Sequence, residues 1–266
     1  MYPFHYHRPD DAEQAYQLFH EAEDGIYLAG GQTLIPTMKQ RLAAPSDVID
    51  LAGVAGMGGI EAGQGVVSIG AGVRHAEVAG SPAVRGVLPV LSALAGGIGD
   101  RQVRHLGTLG GSVANSDPAA DYPAAVVGLG ATIETHCRRI AADEYFVDLF
   151  ETALKPGEIV TRVHFPVPDR AAYRKFAHPA SGYAVVGVLV ADFGGNIRVG
   201  ITGAGPCAFR GTAFEQALAD DLRPEAVDGV PVPDAGFNSD LFASAEYRAH
   251  LVRVMARRAV ADLLGR

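Results

Sequence analysis

Pairs of glycines at the ends of apolar runs constrain the fold of this chain more than any other sequence feature. Glycine occupies 33 of the 266 positions, about 12% against a usual share of about 7%. The pairs have no fixed period, so a solenoid of repeats is excluded. They lie at 30–31, 58–59, 96–97, 110–111 and 194–195. Glycine is favoured where the backbone adopts positive φ or approaches another group closely, so we expect several tight turns.

The first informative pair lies between a predicted strand and a predicted helix. The apolar run Ile26–Ala29 is typical of a strand, and Leu34–Arg41 is typical of a helix with Pro36 in its first turn. Between them lies Gly-Gly-Gln-Thr, at residues 30–33. The unpaired amides and the dipole at a helix start favour an anion. The sequence therefore predicts an anion site at this turn.

A second glycine turn has similar ingredients. It reads Gly-Thr-Leu-Gly-Gly-Ser at residues 107–112, so Thr108 and Ser112 supply hydroxyls at its two ends. Two such turns can hold both halves of one pyrophosphate, although glycine pairs after strands are often only tight turns or bulges. Asp117 and Asp121 follow and are candidates for binding sugar or ribityl hydroxyls. Helix capping before Pro118 and Tyr122 explains these two acids nearly as well.

The chain as a whole mixes helical and strand patterns, and its length suggests two domains. Helices are predicted near residues 12–23, 87–96, 122–129, 213–218 and 246–264, and a surface loop over 224–240. Strands are predicted at 48–51, 131–135 and 158–165, with hairpins over 58–69 and 183–202. Pro-Val-Pro at 166–168 ends a strand. We therefore predict domains of 1–168 (subdomains about 1–53 and 54–168) and 169–266.

Charge and motifs exclude several function classes. The formal net charge of -8 argues against a nucleic-acid partner, and no apolar run reaches the roughly 18 residues of a membrane span. The first residues are aromatic and acidic, unlike a signal peptide, so we expect a cytoplasmic protein. Cys137 and Cys207 cannot build a disulfide framework or an iron–sulfur cluster, and we interpret both as buried apolar residues. No Walker, Rossmann, metal-ligand or nucleophile-elbow motif is present.

The two glycine turns belong to longer segments with a specific resemblance. Ala-Gly-Gly-Gln-Thr-Leu-Ile-Pro (29–36), Thr-Leu-Gly-Gly-Ser (108–112) and Ala-Asn-Ser-Asp-Pro-Ala-Ala-Asp (114–121) resemble the FAD-binding medium subunit of the carbon monoxide dehydrogenase and xanthine dehydrogenase family. The opening Phe-His-Tyr-His-Arg-Pro (4–9) is also typical, as are the segments 102–104, 156–158 and 181–184. One departure is Ser112, where the family most often has Asn.

The resemblance implies an α+β fold of the vanillyl-alcohol-oxidase or p-cresol methylhydroxylase type, with two α+β subdomains around an extended FAD and a small α+β C-terminal domain. The residues that would cradle the pyrophosphate and its neighbours are Leu28, Ala29, Gly30, Gly31, Gln32, Thr33, Leu34 and Ile35, with Thr108, Gly110, Gly111 and Ser112. Asp121, and with it Asp117, would bind a sugar or ribityl hydroxyl, and Ile98, Ile159 and Val160 would lie near the adenine. Lys175 and Tyr183 would lie near the isoalloxazine ring, and no metal site is expected.

The implied function is electron transfer within a larger molybdenum hydroxylase or dehydrogenase. A molybdenum-cofactor large subunit would oxidise the substrate, an iron–sulfur small subunit would relay electrons, and the FAD of this chain would pass them to an external acceptor. A dimer of heterotrimers is the expected assembly. Two alternatives remain at this point: a free-standing flavin reductase or oxidase of the same fold, and a non-catalytic assembly subunit whose glycine turns bind nothing.

Overall fold

The computed structural model describes residues 1–266, beginning with a three-stranded parallel sheet. Its strands are β1 (His5–His7), β2 (Gly25–Leu28) and β3 (Asp47–Asp50), in the order β1-β3-β2. Helices α1 (Ala12–Glu21) and α2 (Leu34–Lys39) form the connections. The side chain of Asp11 caps α1 by accepting from the Gln14 amide at 2.8 Å. Because β2 leads straight into α2, the first glycine turn lies at the carboxyl end of a parallel strand.

The second unit is a five-stranded antiparallel sheet with helices against it. Its strands are β4 (Ile60–Gly63), β5 (Val66–Gly70), β6 (Thr132–Thr135), β7 (Arg139–Ala141) and β10 (Val160–Pro166), in the order β4-β5-β10-β6-β7. The helices are α3 (His75–Gly80), α4 (Pro82–Val87), α5 (Pro89–Gly96), α6 (Arg101–Leu106), α7 (Leu109–Asn115), α8 (Tyr122–Gly128) and α9 (Ala142–Tyr145). A small hairpin pairs β8 (Phe146–Asp148) with β9 (Glu151–Thr152).

The third unit is a four-stranded antiparallel sheet covered by helices on both faces. It comprises β11 (Arg170–Ala177), β12 (Ala184–Phe193), β13 (Asn196–Thr202) and β14 (Phe209–Arg210), in that order, with α10 (Thr212–Asp220) and α11 (Ala245–Leu263). Helix α11 packs on β11 and β12, and α8 packs on β12 and β13. Nine of the ten residues of β12 are therefore buried, which explains its continuous apolar sequence.

Close packing of two glycines joins α8 to the third sheet. A Cβ atom at Gly200 would lie 2.2 Å from the Ala124 carbonyl oxygen and 2.5 Å from the Gly128 nitrogen. Helix α8 can thus approach β13 only because these positions have no side chains. This contact places the start of α8, with Asp121 and Tyr122, beside β11. The predicted domain boundary near residue 169 falls between β10 and β11, and the division into domains stays a prediction.

Several sequence expectations differ from the structure. The helix predicted over 87–96 is α5, which starts two residues later at Pro89 because that proline disfavours helical backbone at Leu88, and the preceding α4 was not predicted. The loop predicted over 224–240 contains a 3-10 helix at Pro224–Val227, and Val227 and Val230 are buried in the C-terminal core. The cysteines were predicted to be buried, but Cys137 is exposed and Cys207 is partly exposed, since both lie in connections beyond strand ends. No helix has the length and apolar character needed to cross a membrane.

Candidate functional site

The first glycine turn presents a run of unpaired backbone donors. The amides of residues 30–34 have no hydrogen-bond acceptor anywhere in the protein. Gly31 has a φ of +69°, and a Cβ there would lie 2.6 Å from the Ile35 side chain. The turn therefore requires glycine both for its conformation and for its packing. No lysine or arginine occurs between Leu28 and Ile35, so what this turn itself offers to an anion is its main-chain amides.

The second glycine turn differs from the prediction, because its glycine pair lies inside a helix. Thr108 caps α7, and its hydroxyl accepts from the Gly111 amide at 3.1 Å. The Leu109 and Gly110 amides donate to the carbonyls of Val73 (2.9 Å) and Ala71 (2.8 Å). The Ser112 amide donates to the Thr108 carbonyl at 3.1 Å. The expectation of unpaired amides thus holds at the first turn and is wrong at the second, which offers hydroxyls instead.

The two turns lie in direct contact. A Cβ atom at Gly30 would lie 2.3 Å from the carbonyl oxygen of Leu106 and 2.6 Å from the Cα of Gly107. A Cβ at Gly111 would lie 3.5 Å from the Cβ of Ala29. The two turns were predicted to act together, and the structure brings them together. The missing side chain at Gly30 allows the α6–α7 connection to rest on the turn between β2 and α2.

A buried ion pair lies at the start of α8. The Lys175 ammonium is 2.9 Å from a carboxylate oxygen of Asp121, which also accepts from the Tyr173 hydroxyl at 2.7 Å. Burial raises the pKa of Asp121, while the Lys175 charge and both hydrogen bonds oppose that rise. Asp121 is only 2% exposed. Lys175 and Tyr173 both bond to its carboxylate, and the binding of a sugar or ribityl hydroxyl by Asp121 stays a prediction.

Lys175 also donates hydrogen bonds to two loops beside this ion pair. Its ammonium donates to the carbonyls of Gly97 and Gly182, each at 2.8 Å. These bonds and the one to Asp121 use all three donors of an ammonium group. Tyr183 follows Gly182 directly, and 39% of its surface is exposed. Lys175 therefore fixes the backbone beside an accessible aromatic ring.

Nearby carboxylates affect the pKa of Tyr183. Burial raises the pKa of the Tyr183 phenol, and the negative charges of Asp117 and Asp100 raise it further. Asp117 accepts from the Ala119 amide at 2.8 Å, and burial raises its own pKa. One oxygen of Asp117 thus closes a local turn rather than capping a helix. Its second oxygen has no protein partner and remains a candidate for binding a hydroxyl group.

The three aliphatic residues predicted near the adenine belong to one hydrophobic core. Ile98, Ile159 and Val160 are all buried. The Ile159 amide donates to His136 at 3.2 Å, whereas Ile98 follows Gly97, which Lys175 contacts. Lys175 thus contacts the residue before Ile98, and the predicted positions of Ile98, Ile159 and Val160 near the adenine stay predictions.

Sequence reasoning missed the partners that hold these residues. Tyr173 shares a strand face with Lys175, as expected for positions two apart in β11, and that alternation was the available signal. Near Ile159, the Glu158 carboxylate accepts from Arg138 at 2.7 Å and from the Thr135 hydroxyl at 2.8 Å. The hydrogen bond from Arg138 lowers the pKa of Glu158 to about 2. The spacing of these residues gives no signal for this network.

The arrangement fits a diphosphate-bearing cofactor. A run of free amides lies at the start of α2, where the helix dipole favours negative charge. The hydroxyls of Thr108 and Ser112 belong to the adjoining turn. No group of three or more His, Cys, Asp or Glu residues is placed to hold a metal ion. The residues present therefore fit FAD at the two turns.

Comparison with known proteins identifies the family. A family described as the FAD binding domain in molybdopterin dehydrogenase matches residues 2–168. The nicotine 6-hydroxylase medium subunit of Paenarthrobacter nicotinovorans is 35% identical, over 97% of this chain and 96% of that subunit. The carbon monoxide dehydrogenase medium chain of Afipia carboxidovorans is also 35% identical, over 97% of this chain and 95% of its own length.

Solved structures show the same relationship over the whole chain. A chain of the reconstituted CO dehydrogenase from Oligotropha carboxidovorans has a TM-score of 0.90 and 34% identity, covering 99% of this chain and 98% of that chain. The predicted α+β fold of the FAD-binding medium-subunit type is thereby confirmed. This chain belongs to the FAD-binding medium subunits of the carbon monoxide dehydrogenase and xanthine dehydrogenase family.

Proposed function

We propose that this chain binds FAD and passes electrons from an iron–sulfur subunit to an external acceptor, within a complex whose large subunit carries a molybdenum cofactor. The single observation that carries the proposal is the run of unpaired amides at residues 30–34, packed against a second turn. Family membership supports FAD as the ligand of these turns. Two related proteins are named as medium chains or subunits of a dehydrogenase and a hydroxylase, which supports a role inside a complex.

The first turn would hold the FAD pyrophosphate through its amides. Hydrogen bonds to a charged group contribute about 1.5–3 kcal/mol each, so two or three of them are a substantial part of a binding free energy. The Ser112 hydroxyl would add a donor from the second turn, replacing the amide that an Asn would supply. The first turn itself carries no basic side chain, so its main-chain amides would be its contribution to phosphate binding.

Lys175 and Tyr183 would serve the isoalloxazine end. When bound, FAD supplies a redox centre that accepts and releases electrons. Because the donors of Lys175 are all in use, its role would be to hold the loops at residues 97 and 182 together. Tyr183 would cover part of the ring and limit which acceptor reaches it.

The partner subunits follow from what this chain lacks. Two cysteines, 70 positions apart in sequence, cannot ligate an iron–sulfur cluster, so a cluster that supplies electrons to this chain would lie on another polypeptide. A dimer of heterotrimers is the assembly we propose for the complex. The cytoplasmic location stays a prediction.

Purification of the native complex tests this function. We expect this chain to co-purify with two further polypeptides, and the purified chain to show the absorbance bands of oxidised flavin after incubation with FAD. A stable lone flavoprotein that turns over its own substrate would instead identify a free-standing reductase or oxidase. Protein that stays colourless after incubation with FAD would identify an assembly subunit. Either result would contradict the proposal.

A further inference from the structure

His75 is a buried side chain to which nothing above assigns a role. It is the first residue of α3 and is only 5% exposed. Its amide donates to the Gly107 carbonyl at 2.9 Å, and the neighbouring Arg74 forms a bridge with Thr108. A Cβ at Gly107 would lie 2.6 Å from the Nε2 atom of His75 and 2.9 Å from its Cδ2. The Nε2–Cδ2 edge of the imidazole therefore packs against the backbone of the second turn.

The position of Gly107 explains why this packing matters. The Cα of Gly107 also lies 2.6 Å from where a Cβ at Gly30 would be. Gly107 is therefore close both to the imidazole of His75 and to Gly30 of the first turn. The ring of Tyr122 supports the imidazole in turn, with the two centroids 5.3 Å apart. The imidazole therefore lies between the buried ring of Tyr122 and the backbone where the two turns meet.

We propose that His75 is a positioning residue for the flavin site, and that its ring sets the position of the second turn against the first. The inference rests on the proposed function, since the ligand is FAD. The shape of the ring, rather than its polarity, sets the position of the second turn. The Nδ1 atom is buried without a hydrogen-bond partner. Burial, with a smaller contribution from the Arg104 charge, lowers the pKa of His75 to about 4, so the ring is neutral near pH 7.

Three variants of the full-length chain test the proposal. His75→Ala removes the supporting ring, and His75→Phe keeps a flat ring while removing both nitrogens. Val260→Ala is the control, because Val260 is fully buried in the separate C-terminal core and its truncation creates a cavity far from the turns. Two kinds of measurement are made on each variant. The first is FAD binding, followed by the dissociation constant and by the visible circular dichroism of bound flavin. The second is the rate of amide exchange of Leu109 and Gly110 without FAD.

We expect His75→Ala to weaken FAD binding at least about tenfold, to alter the flavin dichroism and to speed exchange of the two amides at least about tenfold. His75→Phe is expected to stay within about threefold of the wild type in both measurements, and Val260→Ala likewise. The inference would be overturned if His75→Ala left both the amide exchange rates and the FAD affinity unchanged. It would also be overturned if His75→Phe or Val260→Ala changed them as much as His75→Ala does. The exchange readout needs no flavin. A wild-type chain that binds no FAD but shows the expected exchange pattern would therefore contradict the proposed function alone.

Discussion

Gly30→Ala is expected to abolish measurable FAD binding at micromolar concentrations, lowering the affinity by at least about 100-fold, or about 2.7 kcal/mol. The added Cβ would lie 2.3 Å from the Leu106 carbonyl oxygen and 2.6 Å from the Cα of Gly107. Both neighbours are backbone atoms and cannot rotate away. The two turns must separate by about 1 Å, and errors of that size in a binding constellation have large effects. Isothermal titration of the purified variant with FAD measures the loss.

Gly86→Ala is the matched control for this substitution. Gly86 lies in α4, and a Cβ there meets no atom within 4 Å. Alanine is also a better helix former than glycine, so this variant should bind FAD like the wild type and be equally or more stable. If Gly30→Ala bound FAD as tightly as Gly86→Ala, the contact between the turns would have no role in the site.

Lys175→Met is expected to destabilise the protein by about 3–5 kcal/mol at pH 7.5, because it leaves the buried Asp121 carboxylate without its counter-charge. The Asp121 side chain is 1% exposed and that of Lys175 is 14% exposed. The substitution also removes the bonds that hold the Gly97 and Gly182 carbonyls. Urea denaturation of the full-length chain measures the change, and adding Asp121→Asn to the variant should restore part of the loss.

The same variant should depend on pH in a defined direction. Burial already raises the pKa of Asp121, and Lys175 opposes that rise, so removing Lys175 raises the pKa of Asp121 further. A folded-state pKa above the unfolded value means that stability falls as pH rises between the two values. The variant should therefore be closer to the wild type at pH 5 than at pH 7.5. Arg174→Met, which removes a half-exposed pair with Asp262, should cost less than about 1 kcal/mol. Equal losses for both variants would contradict this account.

The sequence predicted those parts of the site that depend on local patterns. An apolar run, a glycine pair and a helical pattern with proline in its first turn identify the β2–α2 turn, because strand ends and helix starts have local signals. The β12–β13 hairpin was predicted for the same reason, with Gly194-Gly195 at positive φ between its strands. The resemblance of the segments around these turns then predicted the family.

The parts that were missed depend on contacts between distant residues. Helix α7 begins with glycines of low helix propensity, yet Gly110 is needed because a Cβ there would lie 2.4 Å from the Cβ of Ala71. The protein partners of Asp121, Tyr173 and Lys175, were not predicted, because they come from a strand about fifty residues later. His75 has no local motif at all. Tertiary packing determines which residue types occupy such positions, and the local sequence pattern does not indicate these contacts.

A structure of the full-length chain with bound FAD tests the central claim most directly. We expect the diphosphate to accept hydrogen bonds from at least two amides of residues 30–34, at about 2.7–3.2 Å, with the Ser112 side chain on the adjoining turn facing the same group. A diphosphate bound elsewhere, with those amides still unpaired or bonded only to water, would contradict it.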